Sequence, residues 1–268
     1  MPDRLRILFV GDIIGRPGRR VLRKFFPGLK KKFAPDMIIA NGENAAGGIG
    51  ITEKIAQELF SHVDVITSGN HIWDKKEALD YLSRERYLLR PANYPQDNPG
   101  KGSCVWTEKD DFKIGVINLQ GRVFMEPIDC PFRAADREIE ALRKITPVIL
   151  VDFHAEATSE KQALGWYLDG RVSAVLGTHT HVPTADTRIL PEGTAYMSDV
   201  GMVGGYDSVI GIRRDQAVMR FLSSRPQRFE PARERGACST VCITIDPRNG
   251  RALHIQSDTI IEESVDQS

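Results

Sequence analysis

The hydrophobic positions of the chain recur as short runs that each stop at a polar or glycine-rich corner. Several early runs are almost wholly apolar, which is typical of strands covered on both faces. Between them, apolar residues recur at helical spacing, so the alternation predicts an α/β fold. The predicted strands are Arg6–Val10, Met37–Ala40, Val63–Thr67, Lys113–Asn118, Val148–Phe153, Ala174–Leu176, Ala195–Met197, Thr240–Ile245 and Ala252–Ile255.

Five segments between these strands carry helix signals. The first opens at Pro17 and ends in the basic run Lys30–Lys32, which we interpret as a solvated last turn. A second helix is predicted to begin after Thr52, and Asp74 is predicted to be the N-cap of a third. The last three predicted helices are Lys75–Ser83, Arg133–Ile145 and Ser159–Leu168.

Composition narrows the class of protein. The 268 residues include 36 Lys+Arg and 36 Asp+Glu, so the formal net charge is zero. This balance excludes a protein that binds polyanions through its overall charge, and it gives RNA binding no support. A local basic groove remains an alternative. We find neither repeat nor linker, so a single domain over residues 1–268 is expected. No run approaches the roughly 18 apolar residues that span a bilayer, and the start lacks a signal-peptide pattern. With only four cysteines and no CxxC pair, we expect a cytoplasmic protein that does not bind membranes.

Groups able to bind a cation follow five of the predicted strands, at the edge where ligands of α/β sheets collect. A single strand-end histidine or aspartate is more often structural, because backbone partners satisfy it. Here four of the six histidines fall at such ends, which favours a metal site. The five motifs are Val10-Gly11-Asp12, Asn41-Gly42-Glu43-Asn44, Ser68-Gly69-Asn70-His71, Asp152-Phe153-His154 and Gly177-Thr178-His179-Thr180-His181.

The number of candidate ligands indicates more than one ion. Mixed carboxylate, amide and imidazole ligands suit iron, manganese or zinc. Six or seven such groups exceed what one ion requires. A bridging carboxylate such as Glu43 would hold two ions about 3.5–4 Å apart, the spacing of hydrolytic two-metal sites.

The order of these motifs resembles that of the calcineurin-like metallophosphoesterase superfamily. Gly-Asn-His at Gly69–His71 and His-x-His at His179–His181 match its signature, whereas Ile14 and Glu43 replace a usual histidine and a usual bridging aspartate. These departures resemble the bacterial YmdB-type subfamily. The likeness covers nearly the whole chain and is carried by Val10–Arg19, Asn41–Gly48, Gly177–Asp186 and Asp199–Met202.

The resemblance implies a fold, an activity and a ligand set. The fold would be an αββα sandwich of two sheets with the metal site at the strand C-terminal ends. The enzyme would be a metal-dependent phosphoric diester hydrolase that opens 2′,3′-cyclic nucleotides with two ions per chain, iron being favoured and manganese or zinc the alternatives. Asp12, Glu43, Asn44 and His181 would hold the first ion, and Glu43, Asn70, His154 and His179 the second.

One histidine is left over from this ligand set. A metal-bound hydroxide would attack the phosphorus, and His71 would give a proton to the departing ribose oxygen. The competing interpretation is that His71 only orients Asn70 or phosphate. Two other functions stay open: a phosphomonoesterase or nuclease on the same site, and a nucleotide- or RNA-binding regulator without hydrolysis. The segment Gln120–Phe132 is a lid or subunit contact, or else a surface loop, and homo-oligomerisation stays open.

Overall fold

A computed structural model of the chain describes residues 3–108 and 112–263. The strands are β1 Leu5–Val10, β2 Asp12–Ile13, β3 Met37–Asn41, β4 Val65–Thr67, β5 Ser103–Glu108, β6 Phe112–Gln120, β7 Ile149–His154, β8 Ala174–Thr178, β9 Arg188–Ile189, β10 Ala195–Met197, β11 Met202–Gly205, β12 Gly236–Ile245 and β13 Ala252–Ile261. The helices are α1 Gly15–Phe33, α2 Glu53–Phe60, α3 Leu79–Arg84, α4 Pro131–Leu142, α5 Thr158–Leu168 and α6 Arg214–Ser223, with 3₁₀ turns at Asn70–Trp73 and Lys76–Ala78.

The strands form two mixed sheets. In the first, β1, β3 and β4 run parallel, β12 lies antiparallel to β1 and β11, and β13 pairs along β12. In the second, the order is β5-β6-β7-β8-β10-β9, with β6, β7, β8 and β10 parallel and an antiparallel strand at each edge. The parallel strands of both sheets carry the motifs at their carboxyl ends.

Three apolar layers hold the sheets and helices together. Because strand side chains alternate between faces, Ile7 and Phe9 of β1 enter the layer between the sheets, while Leu8 and Val10 pack under α1 and α2. The same alternation in β7 sends Leu150 between the sheets and its neighbours toward α4 and α5. This αββα sandwich confirms the predicted fold. Core residues shared by both sheets support the single-domain prediction, which stays a prediction.

Most predicted elements are confirmed within a few residues, and one cap is wrong. Thr52 caps α2 by accepting a hydrogen bond from the Ile55 N–H. Asp74 is not the N-cap of α3: it follows the 3₁₀ turn Asn70–Trp73, its carboxylate pairs with His71, and α3 begins only at Leu79, after a second 3₁₀ turn. The sequence analysis did not predict the strands β2, β5, β9 and β11 or the helix α6. In the described part of the chain, no helix is both long and apolar enough to cross a membrane.

Candidate metal centre

The predicted site residues lie together at the carboxyl edge shared by the two sheets. Each sits where a strand ends or just beyond it, so the parallel strands bring distant parts of the chain to one place. The first sheet supplies Asp12 in β2, Glu43 and Asn44 after β3, and Asn70 and His71 after β4. The second supplies His154, the last residue of β7, with His179 and His181 just after β8.

Three of these residues form the centre of the cluster. Glu43, His154 and His179 each place one ligand atom within 4.8 Å of the other two. Glu43 Oε1 is 3.1 Å from His154 Nε2, which is itself 3.0 Å from His179 Nδ1. Two ring nitrogens and a carboxylate oxygen therefore converge on one point. A divalent cation is the ordinary occupant of such a set.

Each histidine of the cluster is oriented by a partner on its outer side. His154 Nδ1 lies 2.9 Å from Thr178 Oγ1, which donates in turn to Asp152. His181 Nδ1 donates to the Ile210 carbonyl at 2.9 Å. With one ring nitrogen occupied in this way, the other faces inward, and in the neutral ring it presents a lone pair there. This is the arrangement that metal-binding histidines show.

The same arrangement holds for His179, with the roles of the ring nitrogens exchanged. Its Nε2 lies 3.2 Å from Glu156 Oε2, so Nδ1 faces His154. Two inward lone pairs 3.0 Å apart repel each other unless a proton or a cation lies between them. The donor set thus fits a cation.

Two buried oxygens at the site have no hydrogen-bond donor. Asp12 Oδ1 and Asn70 Oδ1 are both buried and unpartnered among the described residues. Buried polar atoms are seldom left without a partner, and a bound ion is one ordinary explanation. Asn44 presents its amide nitrogen to Glu43 and His181, and a 180° rotation of the amide would present its oxygen instead. Carboxylate, amide and imidazole are the ligands that the sequence predicted here.

The electrostatics of the centre are strongly coupled. Burial disfavours the Glu43 carboxylate, yet the neighbouring His154 imidazole and His71 N–H lower its pKa to about 2. Burial likewise disfavours the His154 cation, but Glu43 and Asp12 raise its pKa to about 9. Burial raises the pKa of Asp12 well above its ordinary value. Burial and the nearby His154 lower the pKa of His179 to about 3. In the metal-free protein His154 thus supplies the positive charge that balances Glu43.

The loop between His179 and His181 has a backbone that needs support from outside. Both residues have positive φ, at 99° and 66°, a region that non-glycine residues seldom occupy. The Asp199 carboxylate accepts from the Thr180 N–H at 3.1 Å and from the Lys161 ammonium at 2.7 Å. Asp12 Oδ2 accepts from the His179 N–H at 3.2 Å. Carboxylates buried behind the loop therefore fix its shape.

The buried position of Lys161 can be recognised in the sequence from its helical spacing. Lys161 lies on the buried face of α5 with Leu164, Gly165 and Leu168, the spacing of an apolar helical stripe. A lysine in such a stripe needs a buried carboxylate, and Asp199 provides it. Asp199 thus supports the histidine loop from behind.

His71 is placed differently from the ligand candidates. Its Nδ1 lies 2.6 Å from Asp74 Oδ2, its backbone N–H donates to Glu43 Oε2, and its side chain is 31% exposed. Asp74 fixes the ring so that Nε2 is free toward the adjoining cavity, which His71 lines. This position suits either predicted role, proton donor or phosphate orienter.

Gly69 allows the two sheets to meet at the site. A Cβ at this position would lie 2.1 Å from His154 Cδ2, closer than real carbon atoms approach. The backbone before Asn70 can therefore pass directly over the His154 ring only because residue 69 has no side chain. The glycine of the Gly-Asn-His motif is thus a packing requirement.

A cavity of about 740 Å³ opens beside the cluster. Glu43, Asn44, His71, Glu156 and the His179–His181 loop form its polar side. The rest of the lining is Gly47, Gly48, Ile49, Ile210, Ile212, Gln227, Arg228 and Phe229. Its lining does not include the segment Gln120–Phe132, where Phe124 is 89% exposed and the Glu160 carboxylate holds the backbone. That placement favours a surface loop or subunit contact over a lid.

Comparisons with known proteins give the family of the chain and agree with its fold. A family model described as YmdB-like protein matches residues 8–257. A curated relative from Bacillus subtilis (strain 168), named 2′,3′-cyclic-nucleotide 2′-phosphodiesterase, is 52% identical over 94% of this chain and 96% of its own length. A crystal structure described as a hypothetical protein from Thermus thermophilus superposes with a TM-score of 0.90 at 42% identity, covering 97% of this chain and 100% of that one. Another, described as a novel phosphatase from Mycoplasma pneumoniae, has a TM-score of 0.92 at 35% identity and covers 99% of this chain and 96% of that one.

Proposed function

The chain belongs to the YmdB-like protein family, and we propose that it hydrolyses 2′,3′-cyclic nucleotides at the cluster centred on Glu43, His154 and His179. The convergence of these three ligand groups beside an open cavity is the observation that carries the proposal. The reaction adds water to the cyclic phosphodiester. The bond between phosphorus and the 2′ oxygen breaks, as in the name of the Bacillus relative, and a nucleoside 3′-phosphate remains.

We propose two ions per chain, held by the ligand set that the sequence analysis assigned. When bound, such ions would neutralise phosphate charge and make a water molecule acidic enough to act as nucleophile near neutral pH. The unpartnered oxygens of Asp12 and Asn70 support this assignment. Iron is our first expectation, with manganese and zinc as alternatives, because mixed oxygen and imidazole ligands accept all three.

His71 is proposed to be the proton donor to the departing 2′ oxygen. It faces the cavity without being needed as a ligand, and the Asp74 carboxylate, 2.6 Å from its Nδ1, fixes its ring orientation. An orienting role would affect all substrates equally. A proton donor matters only for a leaving group that needs a proton.

That difference gives the test of His71. We expect His71→Gln to lower kcat on a 2′,3′-cyclic nucleotide about 10²–10⁴-fold, the usual contribution of a general acid. On an activated aryl phosphodiester, whose phenolate leaves unprotonated, the loss should be less than about 10-fold. Equal losses on both substrates would establish the orienting role instead.

The function itself is tested by metal content and turnover together. We expect about two metal ions per chain by elemental analysis. Hydrolysis of a 2′,3′-cyclic nucleotide should stop on chelation and return with iron or manganese. A parallel series would include a 3′,5′-cyclic nucleotide, RNA and a phosphomonoester. Binding without hydrolysis in fully loaded protein would make the chain a nucleotide-binding regulator.

A phosphomonoesterase is the second candidate, because one relative of known structure is described as a phosphatase. If the enzyme turned over the monoester faster than any diester, phosphomonoesterase activity would replace the proposed phosphodiesterase activity. Cytoplasmic residence and homo-oligomerisation stay predictions. Mass measurement in solution would test the latter, and the exposed side chains of Phe221 and Leu222 on α6 are the first contacts to examine.

A further inference from the structure

A second cavity adjoins the one beside the metal-ligand cluster. It has a volume of about 530 Å³ and is lined by Arg16, Pro17, Arg20, Gly47, Glu230, Pro231 and Arg233. Gly47 lines both cavities, so the two are neighbours across this residue. Gly47 has a φ of +73°, and nothing lies within 4 Å of where its Cβ would be. The boundary between the cavities is therefore low and open.

The charges of the second cavity are not balanced. Arg20 makes a bidentate pair with Glu262, and Glu230 accepts from Arg213 at 3.4 Å. In contrast, the guanidinium groups of Arg16 and Arg233 have no hydrogen-bond or ion-pair partner among the described residues, and both are exposed. Two uncompensated arginines thus face one cavity. Planar guanidinium groups of this kind recognise phosphates.

The first cavity has the same feature. Arg228 is a third guanidinium without a partner in the described chain, and Phe229 next to it is 46% exposed. An exposed aromatic ring beside unpaired arginines is the combination by which proteins hold single-stranded nucleic acid, with the ring stacking on a base. A mononucleotide has only one phosphate, which the metal cluster would occupy. The additional cationic groups would then have no partner.

We propose that the substrate class is the 3′ end of a short RNA strand that carries a terminal 2′,3′-cyclic phosphate. This inference rests on the proposed function and extends it. The terminal nucleotide would occupy the cavity beside His71, and its 5′ side would pass over Gly47. Arg16 and Arg233 would then bind the phosphates upstream of the scissile one. The neutral overall charge does not oppose this, because the basic groups are local.

The test compares two substrates that end in the same reacting group. One is 2′,3′-cyclic AMP, and the other is a triadenylate with a terminal 2′,3′-cyclic phosphate. We expect kcat/KM of the metal-loaded wild-type enzyme to be at least about 10-fold higher for the trinucleotide. The ratio of the two kcat/KM values should fall about 10-fold in the double variant Arg16→Gln/Arg233→Gln. The salt dependence of trinucleotide hydrolysis should also weaken, by about 0.7 in logarithmic slope per arginine.

A matched control separates the groove from general charge. Arg225 is exposed and lies between α6 and Arg228 in the sequence, but it lines neither cavity. Arg225→Gln should leave the substrate ratio unchanged. An equal fall of the ratio in Arg225→Gln, or no preference for the trinucleotide in the wild-type enzyme, would overturn the proposal.

A binding measurement keeps this inference separate from the proposed activity. A fluorescein-labelled triadenylate with a 3′-phosphate, titrated with the same enzymes by anisotropy, should bind about 10-fold more weakly to the double variant. If 2′,3′-cyclic AMP is not hydrolysed but this weakening is seen, the proposed function is wrong and the RNA groove stands. If 2′,3′-cyclic AMP is hydrolysed and the double variant binds the trinucleotide like wild type, the groove is wrong and the function stands.

Discussion

Breaking the buried ion pair behind the histidine loop should destabilise the protein strongly. Lys161 Nζ lies 2.7 Å from Asp199 Oδ2, and the two side chains are 3% and 1% exposed. At this distance the attraction is about 6 kcal/mol at an effective dielectric constant near 20. Removing both groups from water costs several kcal/mol each, so the intact pair contributes little net stability. Removing one partner is different, because the other stays buried and charged.

We therefore expect Lys161→Met to lower the free energy of unfolding by about 3–5 kcal/mol. Methionine keeps most of the side-chain volume, so the loss reports the charge and not a cavity. For a chain of this length the midpoint of thermal unfolding should fall by about 10 °C. Urea unfolding of chelated protein is the assay, because bound metal would stabilise the native state and hide part of the effect.

A double-mutant cycle with Asp199→Asn isolates the pair. The loss of unfolding free energy in the double variant should be smaller than the sum of the losses in the two single variants by at least about 1 kcal/mol, because neither buried charge is then left alone. Lys144→Met is the matched control: Lys144 also pairs with a carboxylate, 3.7 Å away on Glu140, but it is 72% exposed. It should cost less than about 0.5 kcal/mol. A loss below about 1 kcal/mol for Lys161→Met, or strict additivity in the cycle, would refute the reasoning.

Three further predictions concern other parts of the protein. The Arg20 guanidinium and further donors lower the pKa of Glu262 to about 2. The ionised Glu262 should therefore stabilise the folded state fully above the unfolded pKa of about 4.5, and this stabilisation should be lost as the pH falls toward 2. Glu262→Gln should thus lower the free energy of unfolding, measured in urea, by about 1–2 kcal/mol at pH 7 and by much less at pH 2.5. The value at pH 7 is kept small because Arg20 is 48% exposed and solvent screens the pair. Gly69→Ala should abolish metal retention, measured by elemental analysis, because its Cβ would overlap the His154 ring; a fully metallated variant would contradict the packing. Chelation should lower the thermal midpoint of the wild type, since ions that bind only the folded state stabilise it, and an unchanged midpoint would argue against resident metal.

The elements that sequence could predict are those with a regular pattern of buried positions. The strands β1 and β7 were found because they are apolar runs buried on both faces, and helix α1 was found because it has an apolar stripe. Helix α6 was missed for the opposite reason: Ala217 is its only buried residue, and its apolar side chains at Phe221 and Leu222 are exposed. Without a core-facing stripe, its residues carry no helical signal.

The site shows the same division between local and long-range information. Strand-end motifs were sufficient to collect Glu43, His154 and His179, because parallel strands bring their ends to one edge. Asp74 was misassigned because its carboxylate is a good N-cap in isolation. In the folded chain that carboxylate pairs with His71 three residues earlier, and the helix begins later.

The partners that orient the three histidines differ in how far they can be predicted. Thr178 is the direct cross-strand neighbour of His154 in the parallel register of β7 and β8, so a correct pairing of those strands would have identified it. Glu156 follows His154 by two residues, so it lies at the same edge of the sheet, where it contacts His179. The Ile210 carbonyl that holds His181 comes from an irregular loop 29 residues away, and backbone acceptors have no side-chain signature. The residues of this candidate centre are therefore encoded in its motifs. Their orientation depends on register and loop packing, which only the folded chain provides.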